Sequence, residues 1–254
     1  MARVLAISSQ TVFGPVGNSA SVPALQAESH EVLALPTILL SFHPGHGKPS
    51  VSRTPAALLT AMLDDLERLE ALSSCAAVLT GYFADAEQIA AVAAVLAKMK
   101  QRNAALMVLV DPVLGDDGAL YVPGPVAEAL RERLLPLATI ATPNAFELSF
   151  LTGMAVTDER TATAAARRLD LPECLVTSVP AGADLATLLV AGDAVQVHSA
   201  RRLAAVPHGT GDFLAGLYLA QRLAHPPKVA LARAMARLEA AITASAGSAL
   251  LQVN

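Results

Sequence analysis

Alternation is the feature that most constrains this chain. Apolar runs at Arg3–Ser8, Glu31–Leu35, Ala76–Leu79, Leu106–Val110, Ala138–Ala141 and Cys174–Thr177 take turns with longer segments of helical periodicity. Several runs are apolar without a break, the pattern of strands buried on both faces of a parallel sheet. The segments Asn18–Glu28, Pro55–Leu72, Ala86–Gln101, Val126–Leu134, Glu159–Leu169, Gly211–Leu223 and Val229–Ala246 predict helices. The third has Asp85 as a candidate N-cap, Glu87 in its first turn, and Lys98, Lys100 and Arg102 at its end, matching the helix dipole. Short connections between such elements impose right-handed crossovers and helices on both sheet faces. Leu185–Val190 and Val195–His198 flank Ala191-Gly192-Asp193-Ala194, a hairpin signal that predicts an antiparallel edge. The reading is α/β, one domain over residues 1–254.

Composition narrows the function classes. Of 254 residues, 54% are hydrophobic and 16% charged, enough apolar surface for a large core and against disorder. Mean hydropathy is +0.48, yet no window holds the roughly 18 uninterrupted apolar residues of a span. A net charge of −4 without a basic stripe argues against nucleic acid or an anionic membrane as partner. Cys75 and Cys174 lie far apart beside apolar runs, as buried, reduced thiols of a cytoplasmic protein would.

Open α/β sheets bind ligands at the carboxyl ends of their strands. Polar groups gather there: Ser8-Ser9-Gln10, Thr80-Gly81-Tyr82, Asp111-Pro112, Thr142-Pro143-Asn144 with Glu147, and Thr177-Ser178. Two long segments expected to be irregular, Leu39–Arg53 and Pro112–Gly124, have the length of functional loops. Pro207-His208-Gly209-Thr210-Gly211-Asp212 opens an apolar helix. Two glycines let successive N–H groups turn toward one anion at a helix N-terminus. Asp212 beside that hole is placed as a base for a hydroxyl attacking phosphorus; an Asp stabilising the helix dipole explains the hexapeptide equally well.

Asp111 and Glu147 suit Mg²⁺ near nucleotide phosphates, where one or two carboxylates and waters hold the ion. Asp116-Asp117-Gly118 reads equally as a turn, and Asn144 as an N-cap with Glu147 at N3. His43 and His46 are spaced like a metal pair without a third ligand, and His208 lines the glycine loop.

Together these segments resemble the pyridoxal kinases of the ribokinase superfamily. The matching stretches are Ser9 with Phe13-Gly14-Pro15-Val16-Gly17-Asn18-Ser19-Ala20, Ser41-Phe42-His43 with Gly45-His46-Gly47-Lys48, and Thr80-Gly81-Tyr82. They continue as Asp111-Pro112-Val113-Leu114-Gly115-Asp116, Tyr121-Val122-Pro123, Pro143-Asn144-Ala145-Phe146-Glu147-Leu148 and Gly209-Thr210-Gly211-Asp212. The Gly-x-Val-Gly-Asn-Ser-Ala stretch points to pyridoxal kinase in particular; the others are shared among vitamin kinases. The resemblance implies a ribokinase-like sheet, often dimeric through its edge, with ATP and Mg²⁺ as cofactors and room for a monovalent cation. It assigns Asp212 as base for the 5′-hydroxymethyl group and Gly209, Thr210 and Gly211 as the anion hole. Asp111 and Glu147 would organise Mg²⁺, chiefly through waters. Asp116 would lie beside the phosphates, Tyr121 in a flap over the nucleotide, and Thr142, Asn144, Thr177, Ser178 and Thr210 against ATP. Ser9 would meet the pyridine nitrogen, with Val16, Tyr82 and His46 around the ring.

Two positions depart from the family pattern. Pro44 stands where a Thr commonly bonds the ring hydroxyl, and His46 where a Tyr is usual. Both fall on the vitamin side. A hydroxymethylpyrimidine kinase is the nearest alternative, and a non-catalytic binder of B6 vitamers the alternative from another class; retention of Asp212 and its glycines argues against the binder.

Overall fold

A computed structural model describes residues 1–116, 118–203, 206–248 and 250–253. The turn expected around Asp117 includes a residue outside them. In chain order the elements are β1 (Arg3–Phe13), α1 (Asn18–Ala27), β2 (Glu31–Phe42), β3 (Val51–Arg53), α2 (Ala56–Arg68), β4 (Cys75–Thr80) and α3 (Ala86–Arg102). There follow β5 (Met107–Val110), β6 (Gly115–Asp116), β7 (Ala119–Leu120), α4 (Gly124–Ala129), β8 (Ile140–Ala141), α5 (Ala145–Thr152) and α6 (Glu159–Arg168). The chain closes with β9 (Glu173–Ala181), β10 (Asp184–Ala191), β11 (Ala194–Ala200), α7 (Thr210–Arg222) and α8 (Pro227–Ala244).

The main sheet has the order β11-β10-β9-β8-β5-β4-β1-β2-β3, and β6-β7 form a separate hairpin. Its centre is parallel from β2 through β9. Successive strand residues face opposite sides, so the central strands bury one set of side chains on each face of the sheet. Leu5, Val78, Val108 and Val110 pack under α2, α3 and α4. Val4, Leu79 and Leu109 pack against α1, α7 and α8. The Asp85 cap is present, its carboxylate accepting the Gln88 N–H at 2.8 Å. Both cysteines are buried and free. Among the described residues no helix is long and apolar enough to cross a membrane.

Three expectations need correction. The segment Leu39–Arg53 is strand at both ends: β2 runs to Phe42, and β3 pairs back on it antiparallel through Leu40↔Val51 and Ile38↔Arg53, leaving the irregular part at residues 43–50. Pro36 hides this in the sequence, because it reads as a strand end but sits where the β1–β2 register shifts, between Ser8 and Gln10. Antiparallel pairing therefore occurs at both sheet edges. Thr177 and Ser178 lie inside β9, which continues to Ala181; Ser178 takes φ 56° where the β9–β10 register shifts. The helix expected over Val126–Leu134 starts at Gly124 and relaxes into a π-helical turn at Leu130–Leu134.

Candidate active site

The site is built where the carboxyl ends of the central strands meet the start of α7. Gly209 precedes that helix with φ 87°, the left-handed region that favours glycine. A Cβ there would overlap the Pro15 carbonyl oxygen and stand 3.3 Å from Val16 Cα. The loop between β1 and α1 thus lies directly against the glycine loop. Thr210 Oγ1 donates to the Pro207 carbonyl at 2.6 Å, and Gly211 opens onto empty space. Backbone donors at a helix start, with room in front of them, suit an anion.

Asp212 occupies the first turn of α7 and is half-buried. Burial pushes its carboxyl up to about 6, against the pull of the Gly17 and Asp212 backbone N–H groups. Gly17 itself has φ 61° and presses on Ser9 so closely that a Cβ would overlap the Ser9 carbonyl and hydroxyl. Ser9 is buried in β1, so Gly17 has Ser9 packed against it while its N–H faces the Asp212 carboxylate.

Asp111 follows β5 and is 8% exposed. Thr142 Oγ1, following β8, donates to Asp111 Oδ1 at 2.9 Å. Burial, then the charges of Asp212 and Glu147, hold the Asp111 carboxyl well above the ordinary range despite the Thr142 bond. Glu147 sits in α5 and closes a capping box: Asn144 Oδ1 accepts the Glu147 N–H at 2.8 Å, and Glu147 Oε2 accepts the Asn144 N–H at 2.9 Å. Its other oxygen accepts the Leu114 N–H at 2.8 Å. Burial pushes this carboxyl up to about 7, opposed by the Asn144, Leu114 and Gly115 N–H groups. The capping reading of Asn144 and Glu147 is met, and the cap places the Glu147 carboxylate beside Leu114 and Gly115 in the loop after β5.

The remaining expected residues take different places. Asp116 is in the β6–β7 hairpin and adds its charge to that felt by Glu147. Tyr121 is 57% exposed, with its hydroxyl in electrostatic reach of Glu147, Asp111, Asp212 and Asp116. The Thr177 N–H donates to Pro143 O at 2.9 Å, beside Asn144. Ser178 is exposed at the β9 bulge. Tyr82 is half-buried, its N–H donating to Ser8 Oγ at 3.1 Å and its carbonyl accepting from Thr37 Oγ1 at 2.7 Å. Val16 is half-buried and His46 exposed. Sequence reasoning gave no role to Pro15 or Gly17, although both lie in the quoted Gly-Pro-Val-Gly stretch. It also missed Leu250, which pairs with His208 and carries no sequence signal.

The donor set bears on Mg²⁺. Among the described residues no group of three His, Cys, Asp or Glu could hold a metal ion, so the chain offers no cage. Both Glu147 oxygens accept backbone N–H groups, which suits a role toward an ion through water. Crowded carboxylates at Asp111, Glu147 and Asp212 fit an ion held mainly by phosphate and water, the usual habit of Mg²⁺.

Residues 46–252 match the family model described as phosphomethylpyrimidine kinase. A pyridoxine/pyridoxal/pyridoxamine kinase of Bordetella avium is 39% identical over 233 residues, covering 87% of this chain and 76% of the relative. Pyridoxal kinase from Entamoeba histolytica superposes with a TM-score of 0.94 at 28% identity, over 100% of this chain and 93% of that one. Pyridoxal kinase from Leishmania donovani, solved with ADP and pyridoxamine, gives 0.93 at 31% identity over the same shares. The chain belongs to the pyridoxal kinases of the ribokinase-like superfamily.

Proposed function

We propose that the protein transfers the γ-phosphoryl group of ATP to the 5′-hydroxymethyl group of pyridoxal or a related B6 vitamer. The observation that carries this reading is Asp212: a carboxylate in the first turn of α7, next to the open space at Gly211 and bonded by the N–H of Gly17, which packs on Ser9. Phosphoryl transfer runs through a loose transition state, so positioning and charge stabilisation outweigh a strong base. Asp212 accepts the proton of the substrate hydroxyl as its oxygen attacks phosphorus. The Gly209–Gly211 amides meet the charge on the transferring group. Thr142, Asn144 and Thr177 are placed to bind nucleotide, with Ser178 and Thr210 beside them, and Asp116 and Tyr121 border the phosphates. Asp111 and Glu147 would hold Mg²⁺, chiefly through waters, and the ion would supply charge neutralisation for the ATP phosphates. Ser9, Val16, Tyr82 and His46 are the vitamin-side residues.

Incubation with Mg·ATP and pyridoxal, with the product identified by mass as the 5′-monophosphate, tests the reaction. The family model's description keeps hydroxymethylpyrimidine kinase as the second reading, and the same assay on that pyrimidine separates the two. Exposed Val12, Phe13, Leu39 and Val51 along the β1–β2–β3 edge support a homodimer. Light scattering on the purified protein tests it.

A further inference from the structure

Three histidines that the proposed reaction leaves without a common purpose meet in space. His208, immediately before the anion-binding glycines, lies with its ring 4.1 Å from that of His43, tilted by 34°. His46 meets the same ring edge-on at 5.7 Å and 89°. A Cβ on Gly45 would come within 2.5 Å of His208 Nε2, so only glycine lets the ring seat under this loop undisturbed. The loop needs such a contact. Gly45 N–H donates to His43 Nδ1 at 3.1 Å, His46 N–H to His43 O at 2.9 Å, and Gly47 N–H to Pro44 O at 3.0 Å. Among the described residues these hydrogen bonds of His43–Gly47 all stay within the segment. What joins it to α7 is ring against ring. The His208 backbone, in turn, is anchored by its pairing with Leu250.

We propose that His208 is a positioning residue: its ring clasps the His43–Gly47 segment to the anion-binding loop and sets the fraction of enzyme whose vitamin side is closed. This rests on the vitamer-kinase function proposed above. Apparent affinity for a substrate falls by the fraction of protein in the competent conformation. Loss of the clasp therefore appears in the vitamer KM. Thr142, Asn144 and Thr177 of the nucleotide side lie at the ends of β8 and α5 and within β9, outside the segment, so the KM for ATP changes least.

A conservative ring supplies a second readout. Burial, then His208 and His46, hold the His43 imidazole down at about 4, so the contact between these rings is one of uncharged planes that a phenyl ring at position 208 can reproduce.

The experiment measures kcat and both KM values at pH 8 for wild type, His208→Ala, His208→Phe and Gly45→Ala. Expected are a rise of about tenfold in pyridoxal KM for His208→Ala and Gly45→Ala at pH 8, with kcat within about threefold. ATP KM stays within about twofold in both, which also certifies folding. His208→Phe, which keeps a ring against His43, restores the pyridoxal KM to within about threefold of wild type. Wild-type pyridoxal KM in both His208→Ala and Gly45→Ala, or a His208→Phe KM no better than that of His208→Ala, overturns the assignment. No turnover of any vitamer by wild type at pH 8 has a different signature and removes the underlying function instead.

Discussion

Glu147 Oε1 accepts the backbone N–H of Leu114 at 2.8 Å, tying α5 to the loop that follows β5. With Oε2 on Asn144, one buried side chain fixes two segments of the nucleotide side. Glu147→Ala leaves both N–H groups without their partner, a cost of about 1–3 kcal/mol for each buried group left unsatisfied. Urea denaturation at pH 7 should show a lower midpoint with an unchanged slope, and turnover should need more Mg·ATP. An unchanged midpoint would mean that the tether carries no stability.

The two glycines of the anion loop separate sterics from chemistry. Gly209→Ala forces a Cβ into the Pro15 carbonyl at a left-handed φ, so kcat should fall by about 100-fold or more, with a lower melting temperature. Gly211→Ala adds a Cβ in open space inside the first turn of a helix, where Ala is favoured by roughly 0.5–1 kcal/mol. It should melt no lower than wild type and still lose kcat, because the space it fills is the one the phosphoryl group needs. Full activity in Gly211→Ala would move the phosphoryl group elsewhere.

Asp212 also shapes stability. Its folded carboxyl titrates at about 6 against a reference of 3.8, so above pH 6 the fold carries an ionised form it disfavours. Asp212→Asn removes that burden. Its ligand-free melting temperature at pH 8 should exceed wild type's, and the gap should shrink as pH falls through about 6 towards 4. Comparing the two proteins at each pH cancels His43, whose depressed value costs stability over part of that range. A constant gap across the titration would show that Asp212 is not strained by burial.

Much of this arrangement is written locally. Strand–helix alternation specifies the parallel centre because each run must bury two faces, and the Asn144–Glu147 spacing specifies a capping box outright. The Gly-Thr-Gly-Asp order places a carboxylate in a helix's first turn wherever the helix docks. Other features depend on partners distant in sequence. Pro36 reads as a strand end until β1 is seen to bulge beside it. The role of Gly17 requires Ser9 and Asp212, and that of His208 requires Gly45, which spacing along the chain does not reveal. Thr177 and Ser178 fall inside β9 because the antiparallel β10 extends that strand.

The central claim is that Asp212 is the base in phosphoryl transfer to a B6 vitamer. It is tested most directly by ADP release from Mg·ATP with pyridoxal, pyridoxine, pyridoxamine or hydroxymethylpyrimidine, for wild type and Asp212→Asn. Vitamer binding is followed in parallel by calorimetry. The account predicts turnover on at least one vitamer that falls about 10²–10⁴-fold in Asp212→Asn with binding retained. Below about pH 6, wild-type kcat/KM should fall with the titration of Asp212. Vitamer binding without turnover by wild type, or an Asp212→Asn variant as fast as wild type, would contradict it.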